Sequence, residues 1–181
     1  MDERLNGKRV LIIGGAGGVG RETAQRMLAR GARVVSADIP AATRHAEGAL
    51  TFAGDLARQD EIDRLFGFVD EELGGLDMLV ACAGLPADAL MDISDDGWRQ
   101  VIDANLVSYV GCSKQAIERI RRAGHDEGQV ILVGSISVHI KAVGESVYNA
   151  SKGGVALFAA TRPPGVDVVT LRIEPLNQKI Y

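Results

Sequence analysis

Within Ser135–Lys152, reading SISVHIKAVGESVYNASK, three side chains have the types and spacing of an acid–base site. Tyr148 and Lys152 stand four residues apart, and Ser135 lies thirteen residues upstream of the tyrosine. On a helix that begins near Tyr148, this spacing stacks phenol and ammonium on one face, one turn apart. A free phenol titrates at about 10 and carries protons poorly at neutral pH. A neighbouring cation favours the phenolate and makes the group usable. A hydroxyl from the end of a neighbouring strand could then hold the reacting oxygen. A surface YxxxK pair beside a serine-rich turn would look the same in isolation, so the rest of the chain must decide.

The deciding stretch is Gly14-Gly15-Ala16-Gly17-Gly18-Val19-Gly20, which follows the apolar run Lys8–Ile13. It fits a dinucleotide turn in two registers, Gly15-x-Gly17-x-x-Gly20 and Gly14-x-x-x-Gly18-x-Gly20. In both, glycines let the backbone approach a pyrophosphate while a helix N-terminus supplies N–H groups and a positive dipole end. A nucleoside-triphosphate loop is excluded, because Arg21-Glu22 stands where Lys-Ser/Thr is needed. Asp38 ends the next apolar run, eighteen residues beyond Gly20. A carboxylate there can accept both ribose hydroxyls of an adenosine and would repel a 2′-phosphate, which favours NAD over NADP. Arg44, six residues on, blurs that preference.

Other residues say less. Asn105 interrupts an apolar helical stripe, so it either fills a structural hydrogen-bonding role or holds a water near Lys152. His45 and His125 read as surface loop residues, and His139 as a wall residue facing a substrate. Cys82 and Cys112 sit apart in apolar stretches and read as small buried residues. No His/Cys/carboxylate cluster has metal-ligand spacing, and no serine lies in a G-x-S-x-G elbow.

The elements that must position these groups alternate. Strands are expected at Lys8–Ile13, Ala32–Ala37, Ala49–Ala53, Asp77–Cys82, Gln129–Val133 and Val166–Ile173. Helices are expected from Gly18 to Arg30, from Arg58 to Leu73, over a long stretch capped by Ser94, and around Tyr148 and Lys152. Pro40–Glu47 is a short helix or a loop. This pattern predicts an α/β fold: a Rossmann-type doubly wound parallel sheet, three layers, one domain over residues 1–181. Every residue singled out for chemistry falls at or just after the C-terminal end of a strand, the edge where such sheets bind ligands. A net charge of −4 without a basic run argues against nucleic acid, and no apolar run reaches membrane length. The charged N-terminus and isolated cysteines suit a cytoplasmic protein.

Together these residues resemble the short-chain dehydrogenase/reductase family, in its compact single-domain branch, from about Lys8 to Pro175. The family's T-G-x-x-x-G-x-G turn matches Ile13–Gly20, with Ile13 in place of the threonine. Asp55-Leu56 stands where the family has an acidic residue near the adenine ring. Ala81-Cys82-Ala83-Gly84 corresponds to N-N-A-G and keeps its last two letters. Asn105, Ser135, Tyr148 and Lys152 fill the four positions of the family's catalytic tetrad.

The resemblance implies reversible hydride transfer between an alcohol or carbonyl carbon and a nicotinamide. Tyr148 would pass the hydroxyl proton, and Ser135, favoured over Ser137 by its spacing, would hold the substrate oxygen. Lys152 would assist the tyrosine and bind the nicotinamide ribose, and Asn105 would support a proton relay through water. Gly14, Gly18, Val19, Gly20, Asp38, Asp55, Leu56, Ala83 and Gly84, with Tyr148 and Lys152, would hold the cofactor. Family practice also implies a homodimer or homotetramer paired through the Asn105 and Tyr148 helices. The sequence departs from the pattern at Pro163-Pro164 and at Leu176 after Pro175, and ends at Tyr181 without the family's substrate-binding loop or last strand. The expectation is therefore a domain that lacks its C-terminal substrate-binding segment, or whose segment lies outside this sequence. The rival reading is an NAD-binding sensor or scaffold that has lost turnover.

Overall fold

The structure is a computed structural model that describes residues 5–124, 128–140, 143–161 and 167–171. Strand β1, Arg9–Ile13, carries four consecutive apolar residues, Val10–Ile13, and all four are fully buried. A strand covered on both faces belongs inside a parallel sheet with helices above and below. The remaining strands are β2 Arg33–Asp38, β3 Leu50–Ala53, β4 Met78–Ala81, β5 Gln129–Val133 and β6 Asp167–Leu171. All pairs are parallel, in the order β3-β2-β1-β4-β5-β6. The chain therefore winds outward from β1 to one edge, returns across it, and winds outward again from β4. Strands β1 and β4 form the switch point, with Ile13 in register with both Ala37 and Ala81. A crevice at their C-terminal ends is the consequence.

Helices cover both faces. Helix α1, Gly18–Leu28, packs Ala24, Met27 and Leu28 on one face. Helices α2 (Gln59–Leu73), α4 (Ser108–Arg122) and α6 (Ser146–Ala160) bury the larger core on the other. Helix α2 stops where Gly74 turns left-handed at φ 72°. Pro40–Glu47 is a loop without a helix. No helix among the described residues is long and apolar enough to cross a membrane.

Two expectations are corrected. The long helix opened by Ser94 is not uniform: α3, Asp95–Ile102, passes through a π-helical turn, Asp103–Val107, into α4. Ser94 does cap it, its Oγ accepting the Gly97 amide at 3.0 Å. The π turn carries Asn105, and such turns inside α-helices are frequent at functional sites. The second correction concerns His45, which is half-buried rather than a free surface residue. Its Nδ1 lies 2.7 Å from Oγ of the buried Ser36 and pins the loop after β2 to that strand. His125, Pro163, Pro164, Pro175 and Leu176 lie outside the described residues, as do both ends of the strand expected over Val166–Ile173. Strand β6 occupies its middle.

Candidate active site

The glycine turn brings three backbone segments together. Gly14, the first residue after β1, has φ +73°, and a Cβ there would collide with the backbone of Ala83 after β4. A Cβ at Gly20, one turn into α1, would strike the Gly14 carbonyl oxygen. Glycine at both positions thus lets β1, α1 and the loop after β4 meet without side chains between them. Helix α1 starts at Gly18 with Gly17 as its N-cap, and no side chain caps that end. Its first amides keep their donor capacity for an anion.

Asp38 ends β2 beside this turn. Its Oδ2 accepts the Ala16 amide at 2.9 Å and its Oδ1 the Ile39 amide at 2.8 Å. With Gly14, Gly17, Asp55 and Ala83 it lines a cleft of about 960 Å³. Arg44 lines the same cleft. The buried Leu56 borders a small recess beside it, together with Asp55 and Gly14.

A second cleft of about 440 Å³ is lined by Val19, Gly84, Ser135, Tyr148 and Lys152, and also by Glu145. Cys82 and Gly84 line both clefts, so the two adjoin along the loop after β4. Cys82 is therefore half-buried against the clefts, whereas Cys112 is fully buried as its sequence context suggests. Burial pushes the Cys82 thiol up to about 11, which keeps it neutral. His139 is exposed on α5, Ser137–Ile140, and is not among the residues lining either cleft.

Tyr148 lies half-buried in the first turn of α6, and Lys152 one turn further along the same helix. Lys152 is only 3% exposed, an unusual place for an ammonium. Its Nζ donates to the Val133 carbonyl at 3.0 Å and to the Tyr109 hydroxyl at 3.3 Å. Burial lowers its pKa to about 8, against a smaller opposing effect of the Cys82 sulfur.

Ser135 follows the end of β5. Its Oγ accepts the Ser137 amide at 3.2 Å and the Ser137 hydroxyl at 2.9 Å. With two bonds accepted, its own O–H is left to donate into the cleft. Ser137, the alternative serine by sequence, is 3% exposed and supports Ser135 from behind.

Asn105 is fully buried, and its side chain is consumed locally. Oδ1 accepts the Leu85 amide at 2.7 Å, while Nδ2 donates to the Leu85 carbonyl at 2.9 Å and to Ser151 Oγ at 3.1 Å. It clamps the loop after β4 to α6. A Cβ at Gly84 would lie 3.6 Å from both Asn105 Oδ1 and Lys152 Nζ, so the amide and the ammonium flank the same glycine. Sequence reasoning missed Tyr109, which its spacing assigns to the apolar stripe; only its hydroxyl hinted otherwise. That hydroxyl contacts the Ala83 carbonyl at 2.7 Å and the Val133 carbonyl at 3.4 Å.

A model of the short chain dehydrogenase family matches residues 8–163. The chain belongs to that family. Among the short-chain dehydrogenases it resembles is the cis-4-hydroxycyclohexanecarboxylate dehydrogenase of Sinomonas cyclohexanicum, 32% identical over 86% of this chain and 66% of that enzyme. The 3-oxoacyl-[acyl-carrier-protein] reductase MabA of Mycobacterium tuberculosis is 34% identical over 82% of this chain and 59% of its own length. A 3beta-hydroxysteroid dehydrogenase of Mediterraneibacter gnavus is 31% identical over 92% and 63%. The chain thus spans about three-fifths to two-thirds of the length of these curated relatives.

Short-chain dehydrogenases are oxidoreductases that use nicotinamide cofactors. The residues here fit such a dinucleotide on their own chemistry. A tight glycine turn, an uncapped helix N-terminus and a strand-end carboxylate converge on one cleft.

Proposed function

We propose that this chain carries the cofactor and proton-transfer machinery of an NAD-preferring oxidoreductase that interconverts a small or medium alcohol and its ketone. The observation that carries this reading is the buried ammonium of Lys152, one helical turn from Tyr148 and in the same cleft as Ser135. Burying a charge away from water is costly, and a purely structural site would use a neutral side chain.

Each residue then has a defined task. Gly14, Gly18, Val19 and Gly20 present backbone to the pyrophosphate, and Asp38 accepts the adenosine ribose hydroxyls. Asp55 and Leu56 would hold the adenine end, and Ala83 and Gly84 the nicotinamide half. A nicotinamide held there would supply the acceptor for hydride from the alcohol carbon, or the donor of hydride to the ketone. Tyr148 takes the alcohol proton as phenolate, or returns it as phenol, so the carbonyl forms as the O–H bond breaks. Ser135 donates its free O–H to the reacting oxygen. Lys152 favours the phenolate and binds the ribose hydroxyls of the nicotinamide half. Asn105 acts by holding the Leu85 loop against α6, since its side chain has no remaining donor directed at a relay water.

The test is hydride transfer itself. The purified chain, supplied with NAD or NADP, is offered a panel of secondary alcohols and the matching ketones, and nicotinamide absorbance is followed. Turnover that is faster with NAD supports the reading. Tight NAD binding without turnover on any substrate would instead favour the sensor or scaffold. Homodimer or homotetramer assembly through the Asn105 and Tyr148 helices is proposed from the family alone and is checked by solution mass.

A further inference from the structure

Tyr109 stands in the first turn of α4, directly after the π turn, and is fully buried. Phenylalanine would satisfy the apolar stripe at this position, so the hydroxyl requires a separate reason: an unneeded buried hydroxyl destabilises a core. Its surroundings supply one. A phenol has a single proton to donate, and the shortest contact, 2.7 Å, assigns it to the Ala83 carbonyl. The oxygen's lone pairs then face Lys152 Nζ at 3.3 Å, and the same ammonium lies 4.7 Å from the centre of the ring. Of the three N–H groups of Lys152, one goes to Val133 and one to Tyr109. The third is left for the cleft that Tyr148 lines.

The titratable groups around Lys152 are Tyr109 from α4, Cys82 after β4 and Tyr148 on its own helix, with Glu145 lining the same cleft. Burial raises the Tyr109 pKa far above the usual phenol range, and Cys82 is likewise held neutral. Neither one cancels the lysine's charge.

We infer that Tyr109 is a positioning residue for Lys152: its neutral hydroxyl and ring face tether the ammonium and aim its remaining proton at the site of Tyr148. This rests on the roles proposed above for Tyr148 and Lys152. Without the tether the ammonium loses an acceptor, so Lys152 would titrate lower and Tyr148 would lose part of its cationic neighbour.

The experiment replaces one oxygen atom. Tyr109→Phe in the full chain is compared with the parent for NAD binding and for the pH dependence of alcohol oxidation. Expected is a rising limb displaced to higher pH by about half a unit to one unit, with kcat at neutral pH down about three- to tenfold and, because Lys152 also serves the ribose, a modest rise in the NAD dissociation constant. An unshifted profile, whatever happens to NAD binding, would overturn the inference and leave the hydroxyl as a prop for the Ala83 loop alone. Lysine-15N NMR of the parent chain tests the tether without turnover or a variant. A slowly exchanging Lys152 Nζ signal with contacts to the Tyr109 ring protons is expected, and a freely exchanging one without them overturns it. A parent that binds NAD but turns nothing over would defeat the proposed reaction, while the NMR result would still decide the tether.

Discussion

Asp38 Oδ2 accepts the backbone amide of Ala16 at 2.9 Å, so the last residue of β2 is bonded to the turn that follows β1. The carboxylate is thereby held over the cleft with acceptor capacity to spare. Asp38→Ala removes the proposed charge-assisted acceptors for the ribose hydroxyls, each such bond contributing about 1.5–3 kcal/mol. NAD affinity should fall at least about tenfold. NADP affinity should fall less or rise, because repulsion of a 2′-phosphate goes with the carboxylate. Calorimetric titration of both cofactors decides it, and equal losses would remove the ribose role.

Tyr148→Phe deletes the proposed proton carrier and leaves the ring in place. Turnover should drop by at least about a hundredfold, the lower range for a general acid–base group. NAD binding, read by fluorescence titration, should change little. Wild-type turnover in this variant would refute the assignment.

Lys152 makes a prediction about stability as well as rate. Its folded pKa of about 8 lies below the ordinary lysine value, so between the two the unfolded chain binds more protons. Stability of the cofactor-free protein should therefore rise from pH 8 toward 10.5, and the full burden of the buried charge is present below pH 8. Lys152→Met should be inactive yet more stable at pH 7 by about 1–3 kcal/mol, with the Val133 carbonyl left unpaired as a partial offset. That advantage should shrink as pH approaches 10. Urea midpoints at pH 7 and pH 10 measure it, and an advantage independent of pH would show that the charge is not the cause.

Gly20→Ala puts a methyl group against the Gly14 carbonyl oxygen, a backbone atom that cannot swing aside. Helix α1 must shift outward, at a cost of about 1–3 kcal/mol. Both a lower unfolding midpoint and weaker binding of either cofactor are expected. Gly67→Ala is the control: a Cβ there meets nothing within 4 Å, and the position lies on α2 away from both clefts.

The alternation of buried strands and amphipathic helices was legible in the sequence because both periods are local. A run as short as Val10–Ile13, stopped by a glycine turn, suits a strand inside a covered sheet. The glycine turn was legible for the same reason, since its neighbours in sequence fix its setting. What failed were contacts between distant segments. Nothing near Asn105 in sequence announces Leu85 as its partner, twenty residues away, or the π turn that comes with it. Tyr109 fits the stripe by spacing, and its hydroxyl acquires meaning only when β4, β5 and α6 converge on it. His45 reads as a surface residue until Ser36 is folded against it.

The return of the chain from β3 across β1 to β4 divides the labour between two halves of the sheet. Asp38 and Asp55 stand on one side of the seam, and Ser135, Tyr148 and Lys152 on the other. Across it, Gly14 and Ala83 touch backbone to backbone. On the roles proposed above, change at Asp38 or Asp55 can retune which dinucleotide is accepted without disturbing proton transfer, and change around Ser135 and Tyr148 can alter the substrate, while Lys152 serves both. The seam itself is where such drift must stop: one methyl group at Gly14 would disturb both halves at once.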